Sequence, residues 1–254
     1  MDFIPGRKIF KQRSGLDKPF NCLFTVTTIA VTLAIVFSFL SFFDGLFAGS
    51  TLISEGIVIG AGQLLAGEII VQRVFFKKRF GDHAYSVAFR WLLVPGLTFI
   101  GAGVAHFAWI EGARFVPREI ALLPFLYMLV SGILLWLRAV TTFGLDNLSL
   151  LYVYYPSESR LVHSNVYSVL RHPVYSAVLR VIFALVLWNG SRLALLAGLI
   201  APVALMLWIK WAEEPELIER FGEGYRDYRR SVPAFFNLDP RSWAVLWRFL
   251  ASGN

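Results

Sequence analysis

The feature that most constrains the fold is an uncharged apolar run of 22 residues, 22–43. A helix needs about 20 apolar residues to cross the hydrocarbon core of a bilayer, so this run is long enough. A signal peptide is the alternative, because five Lys and Arg residues precede the run. Its apolar stretch would be only about 7–15 residues long, however, so we expect a membrane-spanning helix.

The chain as a whole has the composition of a polytopic membrane protein. It is 57% hydrophobic and 16% charged, whereas soluble domains have about 45–50% apolar and about 25% charged residues. The single cysteine, Cys22, excludes a disulfide scaffold. The sequence therefore predicts an all-α membrane helix bundle of about six transmembrane helices with a C-terminal cytoplasmic amphipathic helix; the later spans are expected near 52–71, 91–110, 120–137, 174–188 and 193–211.

The distribution of basic residues predicts the orientation of the bundle. With the N-terminus inside, twenty Lys and Arg residues lie on the inner side, three lie in the outer loops, and Arg180 lies within the fifth span. The positive-inside rule therefore places both termini in the cytoplasm, and in a bacterium the protein would lie in the inner membrane. The net charge of +7 is explained by this topology, so we expect no binding to nucleic acid.

The composition changes near Arg138 and suggests two parts. Residues 1–137 consist mostly of about four spans with short loops, whereas 138–173 form a long polar and aromatic segment and a charged tail follows residue 212. Long loops in compact domains are commonly functional. We expect residues 138–254 to carry the functional core and residues 1–137 to determine the substrate.

The first polar motif opens the fifth apolar segment and reads Arg171-His172-Pro173-Val174-Tyr175. Proline is tolerated in the first turn of a helix, so Pro173 is expected to begin the span with His172 near its N-cap. The free N–H groups there, together with Arg171, favour a carboxylate or a phosphate. In the simplest alternative, Arg171 meets lipid phosphates, His172 is a satisfied cap and Tyr175 belongs to the interfacial aromatic belt.

The second polar motif follows the sixth apolar segment and begins Glu213-Glu214-Pro215. Because proline disfavours the α conformation in the preceding residue, we expect the span to break here and a new helix to begin at Pro215. Two adjacent carboxylates at a membrane boundary suit a cationic ligand, or they are simply solvated helix-end acids. The apolar side chains that follow predict one interfacial helix: Leu217, Phe221, Tyr225, Tyr228 and Val232.

Taken together, the two motifs resemble the superfamily of isoprenylcysteine carboxyl methyltransferases and phospholipid methyltransferases. The resemblance covers roughly residues 138–233 and rests on Arg-His-Pro with Tyr175, followed by the acidic pair and its spaced aromatic residues. Two positions depart from the family pattern. Asn165-Val166 stands where Gly-Pro is common before Tyr167, and Ala177 stands where a glycine is common; both bear on how closely the backbone can turn and approach a ligand.

The resemblance implies an S-adenosyl-L-methionine-dependent methyltransferase that acts on a lipid-like or small amphiphilic acceptor, with isoprenylcysteine carboxylate as the leading type. It implies that Glu213 and Glu214 lie at the reaction centre. Membrane lipids and the acceptor are the expected partners, and no metal ion is expected. The implied cofactor-binding residues are Tyr167, Arg171, His172, Pro173, Tyr175 and Glu213. A protonated amine or a thiol acceptor would need a base, for which Glu213, Glu214 and His172 are the candidates.

Three ionisable side chains lie within predicted spans: Glu68, His106 and Arg180. Such groups are costly in a bilayer and are therefore candidates for a substrate path, with Arg180 the best candidate for a catalytic role. The alternative for Arg180 is a structural pairing with Glu68 or with a helix-end carbonyl. For His106, a satisfied core histidine is the stronger interpretation.

Two other functions remain open from the sequence. Sterol reductases that use a nicotinamide cofactor carry similar motifs, although the short chain and Val174, where such reductases tend to have Asn, argue against that class. A transporter or membrane scaffold would use the motifs only as interfacial anchors. Paired helices interrupted by Gly or Pro in two halves would support transport, and the sequence lacks them.

Overall fold

The computed structural model describes residues 4–47, 49–237 and 239–252, which are largely helical and include no β-strand. Its all-α helical architecture confirms the predicted fold class. The main helices, in chain order, are α1 (Arg7–Ser14), α2 (Pro19–Phe43), α3 (Ser50–Val71), α4 (Arg73–His106), α5 (Arg118–Phe143), α6 (Pro173–Asn189), α7 (Arg192–Phe221), α8 (Glu223–Ser231) and α9 (Pro240–Ser252).

Within the described residues, five helices are long and apolar enough to cross a membrane: α2, α3, α4, α5 and α7. The remaining predicted span corresponds to α6, which is apolar but has only 17 residues. At 1.5 Å per residue it is about 26 Å long, slightly less than the ~30 Å hydrocarbon core. Pro173 begins α6 with His172 at its N-cap position, as the sequence predicts.

The acidic pair does not end the last span, so the predicted break at Pro215 is wrong. Helix α7 continues through the pair to Phe221 and contains a π-helical turn, Ile209–Glu213. A proline has no N–H to donate and its ring crowds a carbonyl of the preceding turn; the wider π turn just before Pro215 relieves both constraints. The chain turns instead at Gly222, whose φ is +57°. Leu217 and Tyr225 therefore lie on separate helices, and the predicted single interfacial helix is also wrong.

Glycines allow two helix pairs to approach closely. A Cβ atom added to Gly62 of α3 would lie 2.8 Å from the carbonyl oxygen of Gly96 in α4, and one added to Gly96 would lie 2.7 Å from the backbone nitrogen of Ala66. Between α5 and α6, a Cβ at Gly132 would lie 3.1 Å from the Cβ of Arg180. These contacts fix α3 against α4 and α5 against α6.

The segment between α5 and α6 folds over one end of the bundle. It contains the short helices Leu145–Leu148 and Leu151–Tyr154 and a left-handed turn at Asn165, whose φ is +52°. Asparagine tolerates this conformation better than most non-glycine residues, so it meets the conformational need at the position where the family commonly has glycine. The predicted boundary at 137/138 falls within α5, and the division into two parts stays a prediction.

The chain after α8 returns to the start of α6. The backbone N–H of Arg171 donates to the carbonyl of Pro233 at 2.8 Å, and that of His172 donates to Ala234 at 3.0 Å. The first motif is thus held between the segment that precedes it and the tail. The two polar motifs meet at this end of the bundle.

Candidate active site

A cavity of about 600 Å³ lies where the two polar motifs meet. All six side chains predicted to bind a cofactor line it, although they come from separate elements: Tyr167, Arg171, His172, Pro173, Tyr175 and Glu213. Its volume falls within the range of about 300–1,000 Å³ that is typical of small-molecule sites. The fold therefore brings together residues that lie more than 40 positions apart in the chain.

Glu213 presents its carboxylate to the cavity in a fixed orientation. Its Oε2 accepts hydrogen bonds from the Tyr175 hydroxyl at 2.5 Å and from the Trp208 indole N–H at 3.1 Å. The indole also donates to the Tyr175 hydroxyl at 2.8 Å. Trp208 and Glu213 are five residues apart, the spacing that a π-helical turn brings into register. The turn therefore places this acid beside its two donors.

Glu214 points away from the cavity, because successive side chains on a helix lie about 100° apart. Its Oε1 accepts hydrogen bonds from the Nε of Arg171 and forms an ion pair with Nη2, both at 2.9 Å, while its Oε2 lies 3.3 Å from the Nε of Arg229. Only 5% of Glu214 is exposed. Its predicted place at the reaction centre is therefore not supported by the geometry; it holds Arg171.

His172 lies between the two acids and is buried. Its Nδ1 is 3.6 Å from Glu213 Oε1, and its Nε2 is 3.4 Å from Glu214 Oε1. Burial opposes a charge on the imidazole, but the neighbouring carboxylates outweigh this effect and raise the pKa of His172 above its ordinary value of 6.5. The two acids therefore favour the charged form of the imidazole.

Tyr167 carries a buried hydroxyl without a hydrogen-bond partner among the described residues. Its ring stacks on Phe143 with 5.0 Å between centroids, and its backbone carbonyl accepts a hydrogen bond from Tyr228 at 2.6 Å. The ring is thus fixed while the hydroxyl, in a residue that lines the cavity, is unpaired. A buried polar group without a partner is costly, so this hydroxyl is suited to a bound ligand.

Away from the polar motifs, the cavity continues into the apolar bundle. Leu97 and Ile100 of α4 and Trp136 of α5 line it there, together with the amide of Gln63 from α3. These residues belong to helices that are long enough to span a membrane. The same cavity therefore joins a charged end to an end at membrane depth, a shape that fits an amphiphilic ligand.

The structure does not bring Arg180 to this cavity. Arg180 lies on another side of α6 and lines a small cavity of about 10 Å³ with Phe235 and Ser242. Its Nη1 is buried without a hydrogen-bond partner, and no ion pair joins it to Glu68 within the described part of the chain. The geometry therefore supports neither the predicted catalytic role nor, as the alternative, a pairing with Glu68.

His106 is a satisfied histidine, as the stronger interpretation predicts. Its Nδ1 lies 2.6 Å from Glu55 and its Nε2 lies 2.9 Å from Asp44. The three residues come from α4, α3 and the end of α2, at the end of the bundle opposite the candidate site. This cluster joins three helices and does not belong to the site.

Sequence reasoning missed four side chains at the site: Trp208, Arg220, Tyr225 and Arg229. Trp208 pairs with Glu213 at a spacing of five residues, which the usual helical pattern does not reveal. The sequence predicts an interfacial position for Tyr225, whereas this residue is 2% exposed and its hydroxyl lies 3.5 Å from Glu214. Its buried position follows from the turn at Gly222.

Comparison with known proteins gives a match to the family that the two polar motifs resemble. Residues 123–224 match the family model described as phospholipid methyltransferase, and the matched segment contains both polar motifs. Searches of curated proteins and of solved structures found no match to the chain. Over residues 123–224, which contribute both polar motifs to the cavity, the chain is similar to the phospholipid methyltransferase family, which lies within the superfamily of integral membrane methyltransferases.

Proposed function

We propose that the protein transfers a methyl group from S-adenosyl-L-methionine to a carboxylate on a lipid-like acceptor, as in isoprenylcysteine carboxyl methylation. The observation that carries this proposal is the cavity that joins the carboxylate of Glu213 to apolar residues at membrane depth. The family match supports methyl transfer in a membrane. The acceptor class and the cofactor are the finer parts of the proposal.

The residues at the polar end fit the cofactor. The unpaired hydroxyl of Tyr167 is available to its polar groups, and Glu213 supplies a negative charge beside which a cation is stabilised. The chemistry that S-adenosyl-L-methionine supplies when bound is an electrophilic methyl group on a positively charged sulfur. Arg171, His172, Pro173 and Tyr175 would form the remaining walls around it.

The side chains of this end act by positioning. Tyr175 and Trp208 hold Glu213 in one rotamer, and Glu214 holds Arg171 against the tail. Arg171 also donates to the backbone carbonyls of Val232 and Arg229. Methyl transfer requires the acceptor atom, the methyl carbon and the sulfur in line, and such positioning contributes several kcal/mol to catalysis.

The charges around the cavity favour an anionic acceptor over an amine. Arg160, Arg171, His172 and Arg220 line it, against the single carboxylate of Glu213. Cationic linings attract anionic ligands, and a carboxylate needs no base before it accepts a methyl group. Glu213 is therefore proposed to orient the reactants and not to remove a proton.

Binding of S-adenosylhomocysteine to the purified protein tests the cofactor. We expect Tyr167→Phe to weaken binding about fivefold, equivalent to ~1 kcal/mol. The Tyr167 hydroxyl has no hydrogen-bond partner among the described residues, so its removal would cost a contact with the ligand. Calorimetry in detergent measures the affinity, and thermal melting checks that the variant is folded.

Tyr228→Phe is the matched control. It removes a hydroxyl that donates to the backbone of Tyr167, so we expect a lower melting temperature with a smaller change in affinity. Wild-type protein that is folded but binds no S-adenosylhomocysteine would contradict the proposed cofactor. Equal affinities for wild type and Tyr167→Phe would show that the Tyr167 hydroxyl does not contact the ligand.

The acceptor is tested by the stability of the product. Membranes that contain the protein are incubated with cofactor carrying a labelled methyl group, and the methylated lipids are identified by mass. A methyl ester releases labelled methanol in alkali, whereas a methylated amine does not. If all of the label is stable to alkali, the acceptor is not a carboxylate, and an amine or a thiol is indicated instead.

A further inference from the structure

One of the cations that line the cavity, Arg220 of α7, is only partly paired within the protein. Arg220 lies seven residues, or about 10 Å, along the helix from Glu213 and on the same face. It lines the same cavity, and only 10% of its side chain is exposed. Its guanidinium therefore belongs to the polar end of the cavity and not to the protein surface.

Arg220 makes few hydrogen bonds for an arginine whose side chain is only 10% exposed. Its Nη2 donates to Glu216 Oε2 at 2.7 Å, whereas its Nε is buried with no partner. The guanidinium also lies 5.0 Å from the centre of the Phe221 ring. Arg171, in the same cavity, is instead paired with Glu214 and with two backbone carbonyls.

A purely structural role leaves this arrangement unexplained. Glu216 balances the charge of Arg220 but accepts only one of the five N–H donors of the guanidinium. Burying the Nε donor without an acceptor is costly, and the fork of donors matches a carboxylate in two-point contact. The donors are left for an anion that enters the cavity.

We propose that Arg220 binds a carboxylate within the cavity and thereby sets the position of the ligand relative to Glu213. Two molecules can supply that group: the cofactor, through its amino-acid part, and the acceptor. This inference rests on the proposed function and deepens it by naming the residue that recognises the anion. Glu216 then lowers the affinity of Arg220 for the ligand, because its carboxylate competes with the ligand for the same guanidinium.

Arg220→Gln tests the proposal with two ligands. S-adenosylhomocysteine carries the amino-acid carboxylate, and 5′-methylthioadenosine retains the nucleoside and the thioether but lacks that group. If the cofactor supplies the carboxylate, the variant binds S-adenosylhomocysteine at least tenfold more weakly and binds 5′-methylthioadenosine within twofold of wild type. Arg220→Lys, which keeps the charge but loses the fork, should restore part of the affinity.

The second arm uses N-acetyl-S-farnesylcysteine as the acceptor. If the acceptor supplies the carboxylate, Arg220→Gln leaves both nucleoside affinities unchanged and raises the KM for this acceptor at least tenfold. The control is Arg226→Gln on α8, which removes an exposed arginine paired with Glu223 and should change neither quantity. Unchanged nucleoside affinities together with an unchanged KM overturn the inference.

Glu216→Gln separates ligand binding from a structural ion pair. Loss of the competing carboxylate should tighten binding of S-adenosylhomocysteine or lower the KM for the acceptor, even if the melting temperature falls. A lower melting temperature without either gain supports a structural pair and contradicts the inference. Wild-type protein that binds no S-adenosylhomocysteine overturns the proposed function and this inference together, whereas an effect missing only in the Arg220 variants overturns the inference alone.

Discussion

Adjacent acids at the site have different surroundings and therefore different tasks. Glu213 meets neutral donors, the hydroxyl of Tyr175 and the indole of Trp208, and keeps one oxygen near His172. Glu214 meets the cations of Arg171 and Arg229. We infer that Glu213 interacts with the ligand and that Glu214 stabilises the positions of Arg171 and Arg229, so neither acid can replace the other.

The pH dependence of stability follows from His172. Its pKa is raised in the folded protein, so its contribution to stability is complete below about 6.5, the ordinary value, and is lost as the pH rises through the folded-state value. We expect the melting temperature of wild type to fall more steeply from pH 6 to 9 than that of His172→Gln. Scanning calorimetry in detergent measures both curves.

The control for this prediction is His163→Gln, which changes an exposed histidine in the same segment. It should keep the wild-type pH dependence. Parallel curves for wild type and His172→Gln would show that the acids do not stabilise the charged imidazole.

At the residue scale, the sequence predicts which residues line the cavity better than it predicts the contacts that these residues make. The two motifs identify Tyr167, His172 and Glu213, all of which line the cavity. Arg180 was expected there because buried charge suggests function, but periodicity around α6 does not reveal which side of the helix faces the cavity. The sequence does not distinguish Arg220 from a surface residue, because a charged residue four positions from Glu216 is typical of a solvated helix face.

Helix α7 depends on an irregular turn to build the site. A regular α-helix would place Glu213 over residues 209 and 210, whereas the π turn aligns it with Trp208. Hydropathy locates the span but carries no information about one additional residue in a turn. This is why five of the six predicted spans begin within three residues of a helix start, whereas the start of α4 at Arg73, well before residue 91, and the continuation of α7 through Pro215 do not follow from hydropathy.

The packing of α3 on α4 is predicted to be sensitive to a single methyl group. Gly62→Ala would place its Cβ 2.8 Å from the Gly96 carbonyl, so we expect a loss of about 1–3 kcal/mol in the free energy of unfolding. Gly60→Ala, on the same helix, has no atom within 4 Å of its new Cβ and should change stability by less than ~1 kcal/mol. Thermal melting of the two variants measures the difference; similar losses would contradict the close contact.

For the whole molecule, the charge distribution predicts that both termini and the candidate site face the cytoplasm. This orientation suits the proposed cofactor, which is made and used there. It also places the His106 cluster at the opposite surface. The mean hydropathy of a span does not distinguish the two sides of a membrane, so the prediction of orientation rests on the loop charges.

Cysteine labelling tests the orientation. In a Cys22→Ser background, Glu111→Cys between α4 and α5 should react with a membrane-impermeant maleimide in intact cells. Asp227→Cys on α8, where the native side chain is 71% exposed, should react only after lysis. Labelling of Asp227→Cys in intact cells would reverse the predicted topology.

The hydrogen bonds between the first motif and the tail impose an order on biosynthesis. The carbonyls of Pro233 and Ala234 are translated 62 residues after the N–H groups of Arg171 and His172 that they accept. Helices α6 and α7 must therefore enter the bilayer, and α8 must emerge from the ribosome, before the polar end of the cavity is complete. A nascent chain that is stalled before residue 233 would be inserted in the membrane but unable to retain its ligand.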